Sequence, residues 1–75
     1  MSKQEDIQFQ VECLAAELTH LLMKEYGYDY LRALDELYRS ETFRKLEDER
    51  SGLYYQSAYY VFQYLKNEIE TGVMA

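Results

Sequence analysis

Proline is absent from this chain of 75 residues, and glycine stands only at positions 27, 52 and 72, so helix breakers are few and well spaced. A chain punctuated in this way reads as helices joined by short turns. Between positions 2 and 26 the apolar residues Ile7, Val11, Leu14, Leu18 and Leu21 recur at steps of 4, 3, 4 and 3, with Ala15 and Leu22 widening the stripe. This spacing predicts one long amphipathic helix. Ser2 with Glu5 three residues on has the form of a capping box, Asp6 falls in the positive field of the first turn, and Gly27 supplies a left-handed closing residue.

Asp29 is placed to cap a second helix through Leu31, Leu34, Leu37 and Tyr38, with Arg32 and Glu36 four apart as an ion pair. The apolar phase fails at Glu41 and restarts at Phe43 and Leu46, which predicts a kink or short break over 40–42 and then helix to about Glu49. Gly52 closes that stretch, an irregular or extended connector is expected over 53–56, and Ser57 caps a last helix with Ala58, Val61, Phe62, Leu65 and Ile69 on its core face. Gly72 ends it and leaves a frayed tail. The expectation is therefore an all-α fold in one domain, 1–75, a small bundle of three to four helices at about 3–26, 30–39, 42–49 and 58–71. A first helix of that length spans roughly 35 Å at 1.5 Å per residue, more than so small a domain needs, so part of it is expected to overhang. Its 4-3 stripe is the pattern paired helices use, which points to a homodimer in which Val11 and Leu18 contact the second copy.

Self-association also suits the size. A chain this short buries only about 60% of the surface its unfolded form exposes. It holds one cysteine and one histidine, so neither an intramolecular disulfide nor a zinc site of the usual cysteine and histidine kind is available to reinforce the core. A hydrophobic fraction of 48% is that of a folding chain rather than a disordered one. The lone thiol, the polar start and the lack of a long apolar segment suit a reducing cytoplasm.

Eight basic against fourteen acidic residues give a net charge of -6, so nucleic acid and membrane are poor partners while a basic protein is a good one. Arg39, Arg44, Lys45 and Arg50 gather near the predicted break, where a helix-turn-helix regulator would contact DNA, but Glu41, Glu47, Asp48 and Glu49 cancel the patch. DNA binding through this segment is the alternative functional reading. Glu17-x-x-His20 has the helix spacing of di-iron bundles, yet such sites need two of these motifs and two further carboxylates, so it reads as a solvated face and no metal is expected. Cys13 has no second cysteine or nearby histidine to activate it and reads as a buried or half-buried structural thiol. With no phosphate loop or nucleophile set, neither a cofactor nor enzymatic activity is expected.

The positive signal for function is aromatic. Five of the nine tyrosines and one of the three phenylalanines fall within 53–65. Once Val61, Phe62, Leu65 and Ile69 are assigned to the core, Tyr60 and Tyr64 form a second stripe with Tyr59 at the opposite edge. Tyr26, Tyr28 and Tyr30 form another cluster around Gly27. Tyrosine tolerates half-burial because its ring is apolar and its hydroxyl takes a partner or water, which is why it is enriched at protein interfaces. The same rings could instead cover the edges of a thin core. The reading is a small acidic protein-protein interaction module, homodimeric, with Tyr59, Tyr60, Tyr64, Val11 and Leu18 as interface residues and an antitoxin-like or regulatory role as its specific form.

The run from Ala33 through Leu37-Tyr38-Arg39-Ser40 to Phe43, then Leu46, Ser51-Gly52-Leu53-Tyr54 and Ser57 followed by aromatic residues, covers about half the chain. It resembles a group of short uncharacterised bacterial helical proteins with a Leu-Tyr-x-Ser, Gly-Leu-aromatic and serine-aromatic pattern, some near toxin and antitoxin modules. The resemblance implies a helical fold with a fixed turn at Gly52 and assigns no catalytic or binding residue.

Overall fold

The computed structural model describes residues 3–72. Helices α1 (Lys3–Tyr26), α2 (Tyr30–Tyr38), α3 (Glu41–Glu47) and α4 (Ala58–Thr71) follow one another, with short 3-10 turns at Glu49–Ser51 and Leu53–Tyr55, and no strand occurs among the described residues. The all-α bundle matches the sequence reading. Ser2, its capping box and the tail beyond Gly72 lie outside the described residues.

The helix ends follow from local hydrogen bonding. Asp29 caps α2 by accepting from the Arg32 N–H at 2.7 Å, and Ser57 caps α4 by accepting from the Tyr60 N–H at 3.1 Å. The break around position 40 is a change of helix: Arg39 ends α2, and the Ser40 hydroxyl accepts from the Phe43 N–H at 3.0 Å to start α3. α3 stops at Glu47, earlier than the periodicity suggests, because Asp48 turns extended and its carboxylate accepts from the Arg50 N–H at 3.0 Å. The connector is also not extended. Gly52, at φ 72°, reverses the chain and feeds a second 3-10 turn that drives Leu53 into the core at 6% exposure. The positive φ is what requires glycine at position 52; a Cβ there would also stand 3.1 Å from the hydroxyl of the exposed Tyr55 side chain.

Helix α1 is the spine, in contact with α2, α3, α4 and the Leu53 turn. At 1.5 Å per residue its 24 residues reach about 36 Å, matching the 37 Å longest extent of the molecule. Its first buried side chain is Val11, with Ile7 only partly covered, so the N-terminal turns project as expected.

Most of the 4-3 stripe, however, is consumed within the monomer, with Ile7 and Leu21 only partly covered. Leu18 and Leu22 are wholly enclosed and Val11, Leu14 and Ala15 nearly so, packed with Ala33, Leu37, Leu46, Leu53, Val61, Phe62 and Leu65. Leu18 and Val11 therefore leave the set of interface residues: the elements wrapped on α1 cover the face that a second copy would have used. The buried face of α2 also differs from expectation, since Ala33 and Leu37 point inward while Leu31 is 75% exposed. Successive steps of three residues each fall about 60° short of a full turn, which places Leu31 about 120° from Leu37 around the helix.

Polar groups inside the bundle close on neighbours. Thr19 donates to the Ala15 carbonyl at 2.7 Å and Ser40 to the Leu37 carbonyl at 2.6 Å. Glu68 on α4 clamps the start of α3: its carboxylate accepts from the Glu41 N–H at 2.7 Å, the Thr42 N–H at 3.0 Å and the Thr42 hydroxyl at 2.8 Å. One side chain thus satisfies two of the amide groups that a helix start leaves without partners, together with a wholly buried hydroxyl. Lower on the same helix, Lys66 pairs with Glu25 at 2.9 Å, and the Tyr26 hydroxyl donates to Glu70 at 3.0 Å, tying α4 to the end of α1. Burial, and then the adjacent Glu70 carboxylate, push the Tyr26 phenol up to about 12, so this donor stays protonated across the ordinary pH range.

Candidate functional site

The three tyrosines of α4 do not form one patch. Tyr60 and Tyr64 stand together on one flank, rings edge to face with centroids 5.5 Å apart and hydroxyls 3.3 Å apart. The shared hydroxyl contact raises the Tyr64 pKa. Tyr59 lies on the other flank and is 69% exposed, where it borders two shallow depressions over the seam with α1. The first of these is apolar and includes Ala58, Leu21 and Ala16, with Glu17 and His20 at its margin. Tyr59 and Tyr60 are therefore both exposed but on different flanks of α4, with the half-buried Tyr64 beside Tyr60.

A second aromatic surface lies across the molecule and was not singled out from the sequence. Tyr30, Leu34 and Tyr38 recur every four residues along one edge of α2, and Tyr30 and Tyr38 are 58% and 54% exposed. They line an open groove of about 570 Å³, to which α1 contributes the small residues Ala15, Ala16 and Thr19 beside Gln8, Val11 and Glu12. Phe43 of α3 also lines it, its ring edge-on to Tyr38 at 4.7 Å. The charged residues lining this groove are Glu12 and Glu47. It runs on past Gln8 and Val11 into a neighbouring depression whose charged residues are Glu47 and Glu49. The four-residue repeat of Tyr30, Leu34 and Tyr38 was the available signal, hidden by reading Leu31 and Leu37 as the same stripe.

The cluster around Gly27 separates into parts. Tyr26 and Tyr28 stack with centroids 5.3 Å apart, and the Arg32 guanidinium lies 4.5 Å over the Tyr28 ring, whereas Tyr30 belongs to the groove. Beside Tyr28, a depression of about 620 Å³ is lined by Arg32, Glu36, Arg39 and Glu68 among others. Its two arginines are held by carboxylates, Arg32 by Glu36 at 3.5 Å and Arg39 by Asp35 at 3.3 Å.

The remaining positions carry little chemistry. Cys13 is exposed rather than buried, because it falls on the face of α1 opposite Leu18 and Leu22. Glu17 and His20 are both exposed on α1, and no group of three or more metal-ligating side chains occurs among the described residues. Of the basic residues near the α2–α3 junction, Arg39 pairs with Asp35, Arg44 with Glu41 and Arg50 with Asp48. The Arg50 contact holds the Asp48 carboxyl below its usual range. Among the described residues no helix is long and apolar enough to cross a membrane. No known protein family, curated protein or solved structure matches the chain.

Proposed function

We propose that this protein is a small acidic module that binds other protein, including a second copy of itself. The observation that carries the reading is the exposure of large apolar side chains. Tyr30, Tyr38, Tyr55, Tyr59 and Tyr60 stand 47% or more exposed, as do Phe9 and Leu31, beside a core made of aliphatic residues and Phe62. Exposed aromatic surface that the core does not use is the compositional mark of an interface centre. The two exposed tyrosine flanks of α4, Tyr59 on one side and Tyr60 with Tyr64 on the other, are the self-association surface in this reading, in place of the α1 stripe.

A regulatory, antitoxin-like partner is the specific form of the proposal, with the net charge of -6 set against a basic protein. A reducing cytoplasm suits the exposed thiol of Cys13. The alternative, a DNA-binding regulator built on α2 and α3, draws little support, because three of its four basic residues are spent on neighbouring carboxylates. No catalytic role is proposed.

Sedimentation velocity across the micromolar range tests the self-association. The expected result is a sedimentation coefficient and a thermal midpoint that both rise with concentration, since mass action stabilises an associated fold. A strictly monomeric protein with a flat midpoint would remove the homodimer from the proposal.

A further inference from the structure

The groove between α1 and α2 is a separate surface from the α4 tyrosines, and its shape and charge specify an occupant. We infer that it takes an amphipathic helix from a basic partner protein, apolar face down and lysine or arginine along its flanks. This inference rests on the interaction-module reading and names the partner chemistry of one surface.

Three observations converge. First, Tyr30 and Tyr38 are eight positions apart on α2 with Leu34 midway, so the wall they form is about 12 Å long, the rise of roughly two helical turns. A wall of that length accepts apolar anchors at i, i+4 and i+7 of a docked helix. Second, α1 contributes the small residues Ala15, Ala16 and Thr19 beside Gln8, Val11 and Glu12, so a helix can approach the α1 backbone at those three positions next to the tyrosine wall. The bundle has no strand among its described residues, so an extended peptide finds no sheet edge to join there. Third, the charged residues that line the groove and its continuation are all carboxylates, Glu12, Glu47 and Glu49. The guanidiniums on α2 and α3 lie outside this lining and are paired, Arg32 with Glu36, Arg39 with Asp35 and Arg44 with Glu41.

Charge also decides between candidate occupants. A second copy would bring another net charge of -6 against this acidic rim, whereas a helix with basic flanks would be steered toward it. Aromatic walls supply the anchoring contact, and the carboxylates supply orientation and encounter rate.

The probe is an amidated helical peptide of about 15 residues made only of leucine and lysine, leucine on one face, long enough to hold a helix once docked. It is titrated into the isotopically labelled full chain and followed by amide chemical shifts. The expected result is saturable binding that weakens with salt, with shifts centred on Ala16, Tyr30, Leu34 and Tyr38, and no binding of a twin peptide carrying glutamate in place of lysine. Tyr30→Ser with Tyr38→Ser, which leaves net charge unchanged, should weaken binding by about tenfold or more, the effect of removing aromatic anchors. Tyr60→Ser should leave it unchanged. If the double variant loses helicity, Tyr30→Ser alone carries the test with a loss of several-fold.

The inference is overturned if the leucine-lysine peptide does not bind, or if it binds the groove variants as well as the parent, which would mean adhesion to acidic surface in general. It is equally overturned if, without peptide, the resonances of Tyr30 and Tyr38 move with protein concentration, because a second copy would then fill the groove. Self-association through α4 persisting in any of these cases would leave the interaction-module reading standing.

Discussion

Leu18→Ala is expected to cost about 3 kcal/mol of folding stability, the middle of the range for deleting a fully buried leucine side chain from a core. Leu18 is 0% exposed and sits where α1 is wrapped by the other elements, so the cavity left behind has no route to solvent and little freedom to collapse. A domain of 75 residues has only about 4–11 kcal/mol in hand, so this one change removes a large share of it. Thermal denaturation followed by circular dichroism should show the midpoint falling on the order of 15 °C. The competing expectation, in which Leu18 lies between two copies, predicts a nearly unchanged midpoint at low concentration and loss of self-association instead. A drop smaller than about 1 kcal/mol would contradict the packing described for α1.

The second large effect is expected at Glu68. Its carboxylate is the acceptor for two backbone N–H groups at the start of α3 and for the wholly buried Thr42 hydroxyl. Glu68→Ala leaves all three donors without this acceptor and should cost about 2–3 kcal/mol, in line with hydrogen bonds to a charged group and the penalty of a stranded buried donor. Glu68→Gln keeps one acceptor oxygen without the charge and should lose less. Urea unfolding of the three proteins gives the ranking directly, and hydrogen exchange should locate the added opening in α3 and the Leu53 turn before α1. Equal stability of Glu68→Ala and the parent would mean that water satisfies the start of α3 and that the contact between α3 and α4 is held by packing alone.

These two residues also mark what was legible in the sequence. The end of α1, the start of α2 and both ends of α4 followed from local signals, Gly27 and Gly72 at positive φ and the caps Asp29 and Ser57, each of which acts within three or four residues of itself. The buried face of α1 followed from its 4-3 spacing, but the same spacing is shared by a monomer core and by a dimer seam, so the role of Leu18 could not be read from it. What separates the two is whether enough other chain wraps α1, and the buried Leu53 turn, expected to be an irregular or briefly extended connector, is part of that wrapping. Glu68 was silent because it acts on residues 26 and 27 positions away, and no local pattern announces a cap supplied from another helix. The groove was half visible: Tyr30, Leu34 and Tyr38 share a four-residue period, yet which edge of a nine-residue helix faces inward was decided by the fit of Ala33 and Leu37 against the core. Cys13 was misplaced for a related reason, since its position opposite the Leu18 side of α1 outweighs the general tendency of free cysteine to be buried.

The central claim is that the exposed tyrosines serve contact with protein rather than the fold, and Tyr59→Ser combined with Tyr60→Ser tests it most directly. Tyr59 is 69% exposed and Tyr60 47%, and the core behind them is closed by Ala58, Val61, Phe62 and Leu65. The measurement is the thermal midpoint of parent and variant at the lowest workable concentration, where association contributes least, read beside their sedimentation at high concentration. The account predicts midpoints within a few degrees of each other, as for surface substitutions of about 0.5 kcal/mol, together with loss of self-association in the variant. A midpoint lower by about 10 °C or more, with sedimentation unchanged, would show these rings to be the edge of the core and would contradict the claim.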